Sequence, residues 1–335
     1  MSTIMSHART PASSGLRRIQ APVQPMLDRV PAELRRIVTA DLPLIDSVNN
    51  HLMLMKGKLF RPTLVLLSSA VDERPESRAA ALAATVELVH LATLVHDDSV
   101  DHSVLRRGMP TVNALFSHQV SVIMGDFLYS RAVVELVHGG DLEVLRVLAD
   151  ATNLMTVGEM RQLAALDALH FSEDDYEALI LAKTASLLSA ACEIGALAGA
   201  ARYRAQLARY GERLGMVFQV ADDLLDYTAE EAVTGKPSGL DLREHKVTLP
   251  LIGALRTMPA ADRRDVEQLF ATAEPEDADV ARVIDIVARN GGLDYARHRA
   301  EEYSRDATAA LDGLPDTPAV GALHDAIAYA MDRSR

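Results

Sequence analysis

SRAAALAATVELVHLATLVHDDSVDHSV, residues 77–104, is apolar on every side through Ala83–Val95 and then meets three aspartates, Asp97, Asp98 and Asp101. Leu82, Val86, Val89, Thr93, Asp97 and Asp101 fall on one stripe at helical spacing, so the segment predicts a helix buried at the centre of a fold. A second stretch, YRAQLARYGERLGMVFQVADDLLDYT over 203–228, ends in the same D-D-x-x-D spelling, Asp222, Asp223 and Asp226. Its stripe is Gly211, Gly215, Phe218, Asp222 and Asp226. Glycine inside a helix costs about 1 kcal/mol relative to alanine, so these two glycines imply close helix contact or open space. In both helices a small or apolar face ends in carboxylates four residues apart. Such carboxylates repel one another unless cations neutralise them. Oxygen-only donors suit a hard cation, and Mg²⁺ shared with a polyphosphate is the commonest case. The pattern describes a greasy cavity with a metal-capped mouth.

Working outward, helix follows helix from about Leu27. No period-two alternation and no Asn-Gly or Asp-Gly hairpin signal appears. Breaks fall near Pro62, Pro75-Glu76-Ser77, Gly108-Met109-Pro110, Gly139-Gly140 and Pro237. With 335 residues, 49% hydrophobic content, no Trp and no Gly- or Pro-rich linker, the chain reads as a single all-α domain over 28–335. Residues 1–27 hold no Asp or Glu but carry Arg9, Arg17 and Arg18, and are expected to be a disordered leader. A net charge of -13 argues against a nucleic-acid partner. The one cysteine, Cys192, excludes an intrachain disulfide and reads as a small core residue. No apolar run is expected to span a membrane, and a cytoplasmic location follows as an expectation.

A lone D-D-x-x-D is weak evidence in an acidic protein, where a solvated face is the ordinary explanation. The surroundings strengthen it. Arg106-Arg107-Gly108 follows the first cluster closely enough to aim two guanidiniums at phosphate oxygens, although neutralisation of the aspartates would explain them too. Lys58 and Arg61 form a second cationic pair. Only five lysines occur among 34 basic residues, and besides Lys56 and Lys58 they are Lys183, Lys236 and Lys246. Gly235-Lys236 lacks the spacing of a P-loop. His90 and His96 lie on the buried helix, where histidines are usually hydrogen-bonded core residues. His96-Asp97 could also belong to a metal-dependent phosphohydrolase, but that leaves the second cluster unexplained.

In order along the chain, Gly57-Lys58-x-x-Arg61-Pro62, His90-x₅-His96-Asp-Asp-x-x-Asp101, Arg106-Arg107-Gly108, Gly125-Asp126, Lys183-Thr184, Phe218-Gln219-x-x-Asp222-Asp-x-x-Asp226, Gly235-Lys236, Gly239-x-Asp241-Leu and Lys246-x-Thr248-Leu-Pro250 strongly resemble the trans-isoprenyl diphosphate synthases. The resemblance runs from about residue 28 to the C-terminus and points toward the long-chain polyprenyl members. It implies a bundle of long antiparallel helices around a deep central cavity, the isoprenoid synthase fold, usually homodimeric.

By that resemblance Asp97 and Asp101, supported by Asp98, hold several Mg²⁺ ions from one wall. Asp222, assisted by Asp223 and Asp226, holds them from the other. Arg106, Lys183, Lys236 and Lys246 would contact the diphosphate of an allylic primer, farnesyl or geranylgeranyl diphosphate. Lys58, Arg61, His90 and Arg107 would hold isopentenyl diphosphate without metal. Thr184 and Phe218 would flank the reacting carbons and Gln219 would order the site. The implied reaction is head-to-tail (1'-4) condensation through an allylic cation. The small residues Ala92 and Thr93 before Asp97, with Val89 a turn deeper, leave the cavity open, which implies an all-trans product of roughly C30 to C50 held by apolar burial. Stable membrane insertion is not implied, though product release to a membrane is compatible.

Three departures stand out. Lys56-Gly-Lys-Leu59 replaces a frequent Gly-Gly-Lys-Arg, His245 replaces a common Gly before Lys246, and His102 stands where an acid is frequent. The alternatives are a short-chain synthase making geranylgeranyl or farnesyl diphosphate, a terpene cyclase, and a non-catalytic subunit that only sets chain length. Two whole aspartate clusters argue against the last.

Overall fold

The computed structural model describes residues 11–55, 57–164, 168–228 and 238–332. Ten helices position the site: α1 (Pro11–Gln20), α2 (Phe60–Ser69), α3 (Ala79–Val100), α4 (His118–Gly139), α5 (Leu142–Ala164), α6 (Glu173–Ile180), α7 (Ser186–Leu197), α8 (Arg204–Thr228), α9 (Gly292–Ala310) and α10 (Pro318–Asp332). Local chemistry sets their ends. Ser117 caps α4 by accepting from the Val120 amide, and Gly140 closes it at φ 70°, a conformation glycine adopts without strain. Ser172 and Asp175 form a reciprocal capping box at the start of α6.

The centre is a ring of packed helices. α3 lies against α2 and α4, α2 against α7, α7 against α5 and α8, and α8 against α9. The two aspartate-bearing helices make no extended packing contact with each other; α7 packs on both. Gly211 and Gly215 mark the close approaches to α8, by α7 at Gly211 and by the turn just before α7 at Gly215. A Cβ at Gly211 would strike the Leu188 carbonyl, and one at Gly215 would lie 2.5 Å from Ala185 Cα. α3 is buried on nearly all sides through Val95, as its sequence suggests.

Three expectations change. The leader expected over 1–27 is helical from Pro11: Ile19, Val23 and Leu27 are buried, α1 packs along α10, and Arg18 pairs with Asp325 at 2.8 Å. The absence of acids suggested a leader, but these apolar residues recur every four positions and give the segment a face to bury. Second, Ala79–Val100 and Glu173–Leu197 are long and apolar enough to cross a membrane, but 72% and 61% of their apolar windows are buried inside the fold, as core helices require. Third, two-residue strands, Leu105–Arg106 and Met109–Pro110, pair antiparallel around Arg107 at φ 53° and Gly108 at φ 75°. Positive φ at both central residues is the geometry of a tight hairpin turn. Arginine in the first position hides the usual Asn-Gly or Asp-Gly signal.

Candidate active site

A cavity of about 1020 Å³ brings Asp101 of the first cluster together with Asp223 of the second, and with Lys183, Thr184, Gln219, Asp241 and Lys246. The six clustered aspartates divide into two kinds. Asp98 is buried beneath Arg106, whose Nε donates at 2.8 Å and whose Nη2 lies 2.7 Å away. Asp223 is buried and accepts from Tyr176 Oη at 2.5 Å and Gln219 Nε2 at 2.8 Å. Asp226 accepts the backbone amides of Leu240 and Asp241, both at 3.0 Å, and so orders the short helix Leu240–Arg243. These three shape the walls. Of the other three, Asp101 lines the cavity, and Asp97 and Asp222 are half-buried and do not line it.

Burial raises carboxyls of both kinds. Burial pushes the Asp97 carboxyl up to about 6, with Glu159 and Asp101 adding repulsion and Lys183 and Arg106 opposing it. Burial likewise raises Asp241 to about 7, reinforced by Asp226, Glu244 and Asp222 and opposed by Lys246. Asp223 is raised to about 8 by burial and by Asp241. Carboxylates that raise one another in a half-buried site invite a neutralising cation. Among the described residues no three His, Cys, Asp or Glu side chains converge into a complete metal cage. Mg²⁺ seldom uses one, taking one or two carboxylates together with waters and substrate phosphates. The donor set therefore fits a divalent cation whose shell a diphosphate completes.

Among the described residues, Lys183, Lys246 and Arg106 on this side are each engaged with an acid. Lys183 Nζ lies 2.7 Å from Glu159 and donates to Gln162 at 3.2 Å. Lys246 Nζ lies 2.5 Å from Glu244, and Arg106 is on Asp98. Lys183 and Thr184 stand on a π-helical turn, Leu181–Ala185, a feature often found at functional sites. α5 presses on this turn, since a Cβ at Gly158 would lie 2.9 Å from Ala182 Cβ. Thr184 donates to Gln219 Oε1 at 2.7 Å, and Gln219 in turn donates to Asp223. That chain locks the π turn to α8.

The other basic residues gather at the far side, against α2 and α3. Arg61 Nη1 reaches His90 Nε2 at 3.1 Å. Burial, then Arg61, Arg107 and Arg106, hold His90 well below its ordinary value; the ring is neutral and accepts on Nε2. Arg107 donates to the Met55 carbonyl at 3.1 Å. Lys58 Nζ stands 5.8 Å from the centre of the Tyr329 ring, within cation–π range. Phe60 stacks on Phe218 at 5.6 Å and leans on Tyr329 at 5.9 Å, which ties this pocket to the aspartate-bearing helix α8. Gln20 of α1 donates to the Lys58 carbonyl at 2.9 Å, so the segment expected to be a leader braces the first basic motif.

Lys236 lies outside the described residues. Val89 and Ala92 are buried in the core and Thr93 bonds back to the His90 carbonyl; none of the three lines the large cavity. His245 adopts φ 54°, which accounts for the glycine it replaces, and its Nε2 lies 2.9 Å from the Thr272 carbonyl oxygen. Sequence reasoning missed Glu159, Gln162 and Glu244 as partners of the lysines, Tyr176 as the partner of Asp223, and Glu87 beside the arginines. The shortage of lysines offered the one available signal, since each would need an acid nearby. Asp241 was visible only as part of a motif.

A helical ring with two facing aspartate clusters and two sets of cations is the framework of an enzyme that handles diphosphate esters. Residues 42–287 match the polyprenyl synthetase family. An all-trans-nonaprenyl-diphosphate synthase (geranyl-diphosphate specific) of Rhodobacter capsulatus is 39% identical over 88% of this chain and 91% of its own length. The crystal structure of a decaprenyl diphosphate synthase from the same organism superposes with a TM-score of 0.90 at 35% identity, covering 96% of this chain and 99% of that one. A polyprenyl synthase from Caulobacter crescentus, complexed with calcium and isoprenyl diphosphate, gives 0.89 at 33% identity over 98% and 99%. The chain belongs to the polyprenyl synthetase family, and it is a prenyltransferase.

Proposed function

We propose that this prenyltransferase uses Mg²⁺ to condense isopentenyl diphosphate head-to-tail with an allylic diphosphate, building an all-trans chain of roughly C30 to C50 in an apolar channel. The observation that carries the reading is the unequal treatment of cations in the two halves of the site. Where aspartates gather, Lys183, Lys246 and Arg106 are already matched by acids. A diphosphate arriving there needs added positive charge. Where Lys58, Arg61 and Arg107 gather, their hydrogen bonds and ring contact are to a neutral ring nitrogen, a carbonyl and an aromatic face. One buried acid, Glu87, is nearby, and no ion pair is closed on them among the described residues, so a second diphosphate can bind on side chains alone.

Asp97, Asp101 and Asp222 would hold the metal, which when bound supplies Lewis-acid stabilisation of the departing diphosphate. Lys183 and Lys246 exchange their acidic partners for its oxygens, and Lys236 is proposed to join them. Breaking the allylic C1–O bond leaves a cation, which the double bond of isopentenyl diphosphate attacks to form the new carbon–carbon bond. A C2 proton then leaves to the released diphosphate. Thr184, held by Gln219, and Phe218, stacked on Phe60, flank this reaction space and exclude water.

The long-chain relatives support the long product. We assign a homodimer, supported by apolar side chains left exposed on the neighbouring helices α4 and α5, including Ile123, Val137, Leu142, Met160 and Leu163, and with it a cytoplasmic location. The test is chromatographic sizing of products from Mg²⁺, farnesyl diphosphate and labelled isopentenyl diphosphate. A ladder reaching C30 or beyond is expected from the native protein and a shorter one from Ala92→Phe. A stop at C20 in the native protein would replace the long-chain reading with a short-chain one.

A further inference from the structure

Glu87 on α3 is a carboxylate in a pocket otherwise built for anions. It is 5% exposed and lies three residues, just under one helical turn, before His90. A Cβ on Gly57 would stand 3.4 Å from Glu87 Oε1 and 3.0 Å from Arg107 Nη1, so acid and guanidinium crowd the same spot of backbone beside Lys58. Arg61 is close as well: burial pushes the Glu87 carboxyl up, while Arg61 and Arg107 both pull it down. The two arginines repel each other; burial and Arg107 lower Arg61, and Glu87 and Asp222 support it. Arg61 Nε is buried with no hydrogen-bond partner, although its Nη1 is engaged on His90. Two adjacent guanidiniums held by one ring nitrogen and one carbonyl need a counter-charge to remain side by side. A carboxylate placed there solely to bind substrate would repel it. Its role is toward the arginines.

We propose that Glu87 is a positioning residue for the metal-independent diphosphate pocket, holding Arg61 and Arg107 parallel so that both can grip one diphosphate. This rests on the isopentenyl diphosphate reading above. Between substrates the carboxylate shares the charge of both guanidiniums. When the diphosphate arrives, they turn their free N–H groups to it without having to be brought together. Gly57 leaves the space that the Arg107 guanidinium and the Glu87 carboxylate both border.

Steady-state kinetics of Glu87→Gln, Glu87→Asp and Arg61→Ala, with each substrate varied in turn, test this. Glu87→Gln keeps shape and removes charge; it should raise KM for isopentenyl diphosphate by about tenfold, more than it lowers kcat, and leave KM for farnesyl diphosphate within about twofold. Glu87→Asp should recover part of the loss, and circular dichroism of each variant at the assay temperature should match the native protein, although Glu87→Gln should melt lower because it removes a charge from a buried cluster. Equal rises in both KM values would make Glu87 a structural residue and overturn the proposal. So would an unchanged KM for isopentenyl diphosphate in Glu87→Gln while Arg61→Ala raises it. If Arg61→Ala leaves that KM unchanged, the pocket assignment itself fails and the proposal falls with it.

Discussion

On the aspartate side of the site, Lys183 and Lys246 sit against Glu159 and Glu244, and burial with mutual repulsion raises Asp97 and Asp241. On the arginine side, Arg61, Arg107 and Lys58 contact His90, the Met55 carbonyl and the Tyr329 ring, with the buried Glu87 carboxylate bordering Gly57 as the Arg107 guanidinium does. One cavity region is short of positive charge and the other is rich in it. On the proposed reading, this is how the protein would distinguish two diphosphates. The half that would release its diphosphate has carboxylates suited to a removable cation. The half that would retain its diphosphate would use guanidiniums, whose charge does not depend on metal supply or on pH near neutrality.

The largest expected effect breaks the metal half. Asp97→Ala or Asp222→Ala should reduce kcat by about a thousandfold while leaving circular dichroism unchanged, because removing either carboxylate relieves repulsion among the clustered acids. Retained turnover would remove both carboxylates from the metal assignment. A smaller effect should follow in the other half. Lys58→Ala should raise KM for isopentenyl diphosphate by about tenfold with little change for the allylic substrate. An effect confined to the allylic substrate would reverse the two pockets.

The mildest prediction is a pH dependence belonging to the aspartate half. In chelator, Asp97, Asp241 and Asp223 hold protons up to about 6, 7 and 8 in the fold, against 3.8 ordinarily. Between these limits the native state binds more protons than the unfolded chain, so stability falls as pH rises from about 4 to 8. Thermal melts should show this decline with chelator, and Mg²⁺ should lessen it by binding the ionised carboxylates. A melting temperature that rises over that window in chelator would contradict the charge distribution described here.

The helical bundle and the aspartate-tipped helices were legible because periodicity and local spelling encode them. Val86, Val89, Thr93 and Asp97 share a stripe in any α-helix, and Gly211 and Gly215 advertise a close neighbour. What escaped was long-range pairing. Nothing near Glu159 says that it will meet Lys183, and nothing near Glu87 says that Gly57 will leave room for Arg107 beside it. The tight turn at Arg107 was hidden because its positive φ falls on a residue whose side chain is anchored 52 positions away, on Met55. Ile19, Val23 and Leu27 carried a readable helical period, but the basic, acid-free composition around them pointed toward a leader.

The division of the site is tested most directly by calorimetric binding of isopentenyl diphosphate and of farnesyl diphosphate, each alone, with Mg²⁺ and with excess chelator. Isopentenyl diphosphate should bind with similar affinity in both conditions, and farnesyl diphosphate should bind only with Mg²⁺. Equal dependence of the two ligands on metal would contradict the account.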